Sequence, residues 1–205
     1  MTTDVHTPIL RMVWPDMMSE INLEPLQGLW TETQYLTLSD QTNHLIEFTD
    51  GIVEVLPMPS ENHQAILEFL FLALRAFIET AGGKVRFAPL RLQIRPDKYR
   101  EPDILLVRDA NDPRRQNRYW LGADLVVEVV SPDDPDRDTV TKRADYAEAG
   151  IPEHWIVNPL DETITVLMLA GDAYVEHGRF PRGDIASSKL LEGFTVSVDA
   201  VFDAE

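Results

Sequence analysis

The chain has 205 residues, of which 44% are hydrophobic and 26% charged, a balance that suits a globular domain with a sizeable core. It contains no cysteine, which excludes disulfides, thiolate metal sites and cysteine nucleophiles. Its net charge of −17 argues against strong non-specific attraction to nucleic acid. The longest apolar stretch, residues 65–78, is broken by Glu68 and Arg75, so no membrane span is expected. The N-terminus shows no basic segment leading into an apolar run, and a cytoplasmic protein is expected. The charge is uneven: residues 84–118 hold ten Lys/Arg against five Asp/Glu, a net of +5, and the rest of the chain carries −22. This basic segment reads either as a phosphate-facing surface or as a solvated loop.

Residues 1–29 lack periodicity and predict an irregular lead-in, followed by one domain over 30–205. Thr31 opens a short helix, with Gln34 placed to complete a capping box. HLIEF and IVEVL alternate about Asp50-Gly51, a hairpin signal. Ser60 caps a helix over residues 61–80 that stops at Gly82-Gly83. Ile66, Leu67, Leu70, Phe71, Leu74, Phe77 and Ile78 form on it a stripe wide enough to cover a sheet. A strand bent at Pro89 is expected near residues 84–94, with further strands at 103–107 and 124–130. A helix from Asp138 to Gly150, a strand at HWIVN, a hairpin about Gly171-Asp172 and an irregular tail with a terminal helix complete the chain. The economical reading is an α/β fold with a mixed β-sheet flanked by helices and additional β-hairpins.

Two of these strands, EPDILLV and DLVVEVVSPD, are dominated by Val, Ile and Leu, yet carry Asp103 and Glu128. A carboxylate in such company costs on the order of 3–5 kcal/mol unless a cation or hydrogen bonds satisfy it. If the strands are neighbours, both acids can reach one hard divalent ion. Mg2+ takes one or two protein carboxylates and completes its shell with water and phosphate, and such an ion activates water for phosphodiester hydrolysis. The plain alternative is that both acids lie solvated at strand ends. Lys142, on the following helix, could orient the water or offset charge in the transition state, or be a surface lysine paired with an acid. There is no glycine-rich phosphate loop, no H-E-x-x-H helix and no G-x-S-x-G elbow.

EPDILLV, DLVVEVVSPD, the Lys142–Tyr146 pair and GIPEHWIVNP, with IEFTDGIVEVLPMPSENHQ upstream, resemble the Uma-type family of putative restriction endonucleases within the PD-(D/E)XK nuclease superfamily. The resemblance covers roughly residues 30–200 and implies a restriction-endonuclease-like core and Mg2+-dependent (or Mn2+-dependent) endonuclease activity on DNA. It makes Asp103 and Glu128 the metal-binding acids. The superfamily often has lysine two residues beyond the second acid; here that position is Val130, so the lysine role passes to Lys142. Glu47 matches an acid of the first hairpin that could be a third metal-side carboxylate, or be a solvated strand residue. His63 matches a position at the start of the long helix that could touch phosphate or the metal-bound water, or be a structural helix-terminal histidine. Arg91, Arg95, Arg100, Arg114, Arg115 and Arg118 are candidate phosphate contacts, which give position rather than base specificity. Tyr146 and Trp155 match as packing residues, and a homodimer is implied. An RNA or small-phosphodiester substrate, or a non-catalytic binding or regulatory module that retains the fold, stands as the alternative, the latter favoured by the net charge.

Overall fold

The computed structural model describes residues 9–14 and 17–204. Their contacts group into two compact units, one drawn from Met1–Met58 and Arg95–Glu101, the other from Pro59–Ile94 and Pro102–Glu205. In the first unit, the lead-in expected to be irregular is instead paired. Strands β1 (Ile9–Trp14) and β2 (Met17–Asn22) form an antiparallel hairpin, and a single 3-10 turn, Glu24–Leu26, follows. Neither strand alternates apolar and polar residues, so the pairing left no periodic trace in the sequence. The rest of the expected lead-in, residues 1–8, 15 and 16, lies outside the described residues.

Helix α1 (Glu32–Ser39) starts as expected. The Thr31 side chain accepts the Gln34 amide, and the Gln34 side chain accepts the Thr31 amide at 2.9 Å. Strands β3 (Ile46–Thr49) and β4 (Ile52–Val55) turn through Asp50 and Gly51, whose φ angles of 47° and 87° are the left-handed pair that a two-residue hairpin needs. Tyr35 of α1 stacks on Phe48 with ring centroids 4.9 Å apart and donates its hydroxyl to the Ile46 carbonyl. The other side of β3 pairs with β7 (Lys98–Arg100).

The second unit is built on a six-stranded sheet. In spatial order it runs β12 (Ala173–Pro181), β11 (Thr163–Ala170), β10 (Glu153–Asn158), β9 (Leu125–Val129), β8 (Ile104–Val107) and β5 (Lys84–Phe87). Strands β9 and β10 are parallel and their crossover carries α3 (Lys142–Glu148); the other neighbours are antiparallel. The strand expected over 84–94 is two, β5 and β6 (Leu92–Arg95), separated by a segment with a cis Ala88–Pro89 bond.

Helix α2 (Glu61–Thr80), capped by Ser60 accepting the His63 amide, buries Ile66, Leu67, Leu70, Leu74 and Ile78 of the predicted stripe against Ile104, Leu106, Leu125 and Val127, while Phe71 and Phe77 of that stripe are partly buried at its margin. Leu105, Val107, Val126 and Val130 point the opposite way and are covered by Tyr146, Ile151 and Ile156. Burial on both faces explains why β8 and β9 read as continuous apolar runs. At Leu70, 1% exposed, truncation to alanine would cost about 2–5 kcal/mol. No helix among the described residues is long and apolar enough to cross a membrane.

The expected irregular tail contains a small hairpin, β13 (Ile185–Ser187) with β14 (Thr195–Ser197), before the anticipated last helix α4 (Val198–Phe202). One buried acid anchors it. The Glu153 carboxylate accepts Trp155 Nε1, Ser188 Oγ and the amides of Lys189 and Leu190, all within 2.6–2.8 Å. The Trp155 packing role expected from sequence is therefore accompanied by a polar one.

Candidate active site

The pairing of β8 with β9 sets the site. Ile104 faces Val127, Leu105 faces Val126 and Leu106 faces Leu125. One further step in the same register puts Asp103 opposite Glu128. Residues directly opposed across antiparallel strands point to the same face, where like charges repel. Contact follows: Asp103 Oδ2 accepts the amide of Val129, the residue after Glu128, at 2.7 Å. The two acids proposed from sequence are thus brought together, within the second unit.

Glu128 is 1% exposed. Lys142 Nζ lies 2.7 Å from its Oε2, and the Tyr146 hydroxyl donates to its Oε1. The same ammonium is 3.0 Å from Asp138 Oδ1, and Asp138 Oδ2 accepts the Ser131 amide. Asp138, Lys142 and Tyr146 occupy positions i, i+4 and i+8, which stack on one helix face. The first lies in a π-helical turn, Arg137–Thr141, that leads into α3, an irregularity often found at functional sites. Lys142 is 5% exposed, so the surface-lysine alternative fails and its pairing with acids is internal.

His63, at the start of α2, approaches Asp103 Oδ2 with Nε2 at 3.2 Å. Its ring Nδ1 is buried with no partner. Burial opposes a charge on this imidazole, but the hydrogen bond to Asp103 and the fields of Asp103 and Asp138 outweigh burial and raise its pKa above 6.5. For Glu128, burial is the main cause of a pKa well above the ordinary carboxylate value; Lys142 opposes that shift, while Asp103 and Asp138 add to it. Glu128 and Asp138 thus share one ammonium, while Asp103 beside them is paired with His63. Buried carboxylates so placed favour the uptake of further positive charge, whether proton or metal ion.

Among the described residues no three His, Asp or Glu side chains form a ready-made metal cage. Two opposed carboxylates, one of them 15% exposed, nevertheless fit Mg2+ or Mn2+, hard ions that take few protein oxygens and complete their shell with water and phosphate.

Glu47 and four of the candidate arginines have protein partners. Glu47 belongs to the first unit, where it is fully buried beside Arg100 at 3.5 Å and accepts the Glu101 amide. Arg100, expected at phosphate, is 4% exposed and also donates to Thr49 Oγ1 and the Tyr99 carbonyl. Arg95 forms a two-pronged bridge to Asp50. Arg114 bridges Asp112 and Asp124 at 2.6 Å, and Arg115 donates to the Ala110 carbonyl and stacks over Trp120. The guanidinium groups at 95, 100, 114 and 115 are therefore each engaged by acceptors of their own unit. Arg91 is half-buried and Arg118 exposed.

The sequence places Asp138 one turn before Lys142, on the face shared with Tyr146, but gives it no role. His154 carried no signal. It is fully buried with neither ring nitrogen hydrogen-bonded, packs edge-on against Tyr146, and burial pushes its pKa down to about 3.

Residues 32–199 match the family model Uma2, described as a putative restriction endonuclease. Comparison with curated proteins finds no significant match. Among solved structures, a crystal structure described as a putative nuclease belonging to DUF820, from Anabaena variabilis ATCC 29413, is similar. Its TM-score is 0.70 at 20% identity, with 84% of this chain and 97% of that chain covered. The shared fold is a mixed α/β sheet flanked by helices, as expected from sequence.

Proposed function

The chain belongs to the Uma2 putative restriction endonuclease family, and we propose that it is a Mg2+- or Mn2+-dependent nuclease that hydrolyses DNA phosphodiester bonds at the Asp103–Glu128 pair. The observation that supports this reading is that Asp103, the residue before β8, accepts the amide next to Glu128 of β9, with a buried lysine 2.7 Å from Glu128. When bound, a divalent ion would supply Lewis-acid polarisation of the phosphate and activation of water.

Asp103 and Glu128 are the residues that would hold it. Their mutual repulsion, which destabilises the protein alone, becomes attraction for a cation. Lys142 keeps a fixed positive charge next to the scissile phosphate, where it offsets charge that develops on the equatorial oxygens. Tyr146 fixes the plane of the Glu128 carboxylate through its hydroxyl, and His63 restrains Asp103 through Nε2.

The test compares wild type with Asp103→Ala, Glu128→Ala and Lys142→Ala on linear and supercoiled DNA at low salt, with Mg2+ or Mn2+. Wild type is expected to cleave, and each variant to lose about 100-fold or more of that rate with its circular dichroism spectrum retained. Equal cleavage by all four removes the assignment. Wild-type binding without product, on DNA, RNA and small phosphodiesters alike, favours a binding module that keeps the fold, a reading to which the net charge of −17 lends weight.

A further inference from the structure

Lys142 is bound twice. Its ammonium is 2.7 Å from Glu128 Oε2 and 3.0 Å from Asp138 Oδ1, and all three side chains are no more than 6% exposed. Glu128 Oε1 is held by Tyr146. A cation approaching Glu128 therefore meets a carboxylate whose Oε2 already faces a positive charge, and two cations on one buried oxygen repel strongly. Expulsion of the lysine into solvent is blocked by its burial. An acceptor already in contact is Asp138, one helical turn away and itself steadied by the Ser131 amide. A small rotation about the lysine's terminal bonds would transfer the ammonium wholly to it.

We propose that Asp138 is a positioning residue, which takes over the Lys142 ammonium when a divalent cation occupies Glu128, so that lysine and ion no longer compete. The idea rests on the metal-site reading above. Asp138 contacts neither ion nor substrate in this scheme; it acts through Lys142.

The experiment measures Mn2+ affinity by electron paramagnetic resonance on the full chain at pH 8, for wild type, Asp138→Asn, Lys142→Met and the double variant, with thermal unfolding of each as a control. Asp138→Asn is expected to weaken Mn2+ about tenfold when Lys142 is present, and less than about twofold in the Lys142→Met background, as coupling between contacting residues requires. A loss that persists in the Lys142→Met background overturns the inference, since Asp138 would then act on the ion directly or on the fold. No loss in either background overturns it as well. If Asp138→Asn does not fold, Asp138→Ser replaces it in both backgrounds and is judged by the same two outcomes. Absence of Mn2+ binding by wild type would instead remove the metal site itself, and the inference with it.

Discussion

Replacing Lys142 by methionine probes the site without any substrate. Methionine has nearly the same volume as the lysine stem, so packing is largely kept. What is lost is the one ammonium that faces Glu128 and Asp138, both buried to 4% exposure or less. Removing one partner of a buried ion pair costs about 3–5 kcal/mol, which for a chain of this size lowers Tm by about 10 °C.

The loss must also depend on pH. Glu128 in the folded protein has its pKa above the ordinary 4.5, so it keeps a proton that the unfolded chain has released. Stability therefore falls as pH rises from 4.5 through the folded value, at about 1.4 kcal/mol per pH unit across that window. Without Lys142 the folded pKa climbs further and the window widens. Urea unfolding of wild type and Lys142→Met at pH 5 and pH 8 should give a large difference at pH 8 that shrinks at pH 5. A difference below about 1 kcal/mol at pH 8, or one that does not shrink on acidification, would refute the view that this lysine is the counterion of Glu128.

His154 is neutral in the fold, with a pKa of about 3 against 6.5 in its ordinary state. Stability is therefore lost as pH falls from 6.5 towards 3, at about 1.4 kcal/mol per pH unit. His154→Leu should flatten that slope and stabilise the protein at pH 7 by about 1–3 kcal/mol, because two unpartnered ring nitrogens leave the core; urea titrations at pH 7 and pH 5 check both. Glu153→Ala strands the Trp155 indole and Ser188 hydroxyl donors and should cost about 3 kcal/mol or more, with faster amide hydrogen exchange at residues 188–191 as its local signature. At Gly51, φ is +87° and an added Cβ would lie 2.9 Å from the Gly28 backbone. Gly51→Ala should therefore cost more than about 1 kcal/mol, read as a lower denaturation midpoint.

Where local chemistry decides, the residues were legible in order. Thr31 and Gln34 cap a helix because both bonds form within four residues. Asp50-Gly51 turns a hairpin because two adjacent residues adopt positive φ. The 3.6-residue stripe of α2 and the unbroken apolar runs of β8 and β9 announced a helix on a sheet covered on both faces. Acids within those runs marked Asp103 and Glu128 as unusual from the chain alone, since a buried charge needs a partner wherever the chain goes. The hairpins of Ile9–Asn22 and Ile185–Ser197 stayed hidden because backbone pairing needs a partner strand and leaves no periodic pattern of its own.

Which partner each charge finds was decided by the tertiary structure. Register alone sets Asp103 across from Glu128, and the crossover from β9 to β10 brings Lys142 back over that pair. The same effect decided the neighbours of the arginines: Arg100 lies beside Glu47, and Arg114 bridges Asp112 and Asp124. Sequence by itself named the elements and the ionisable residues that could not remain unpaired. Pairing, burial and protonation depend on distances between residues far apart in the chain, and those exist only once the sheet has closed.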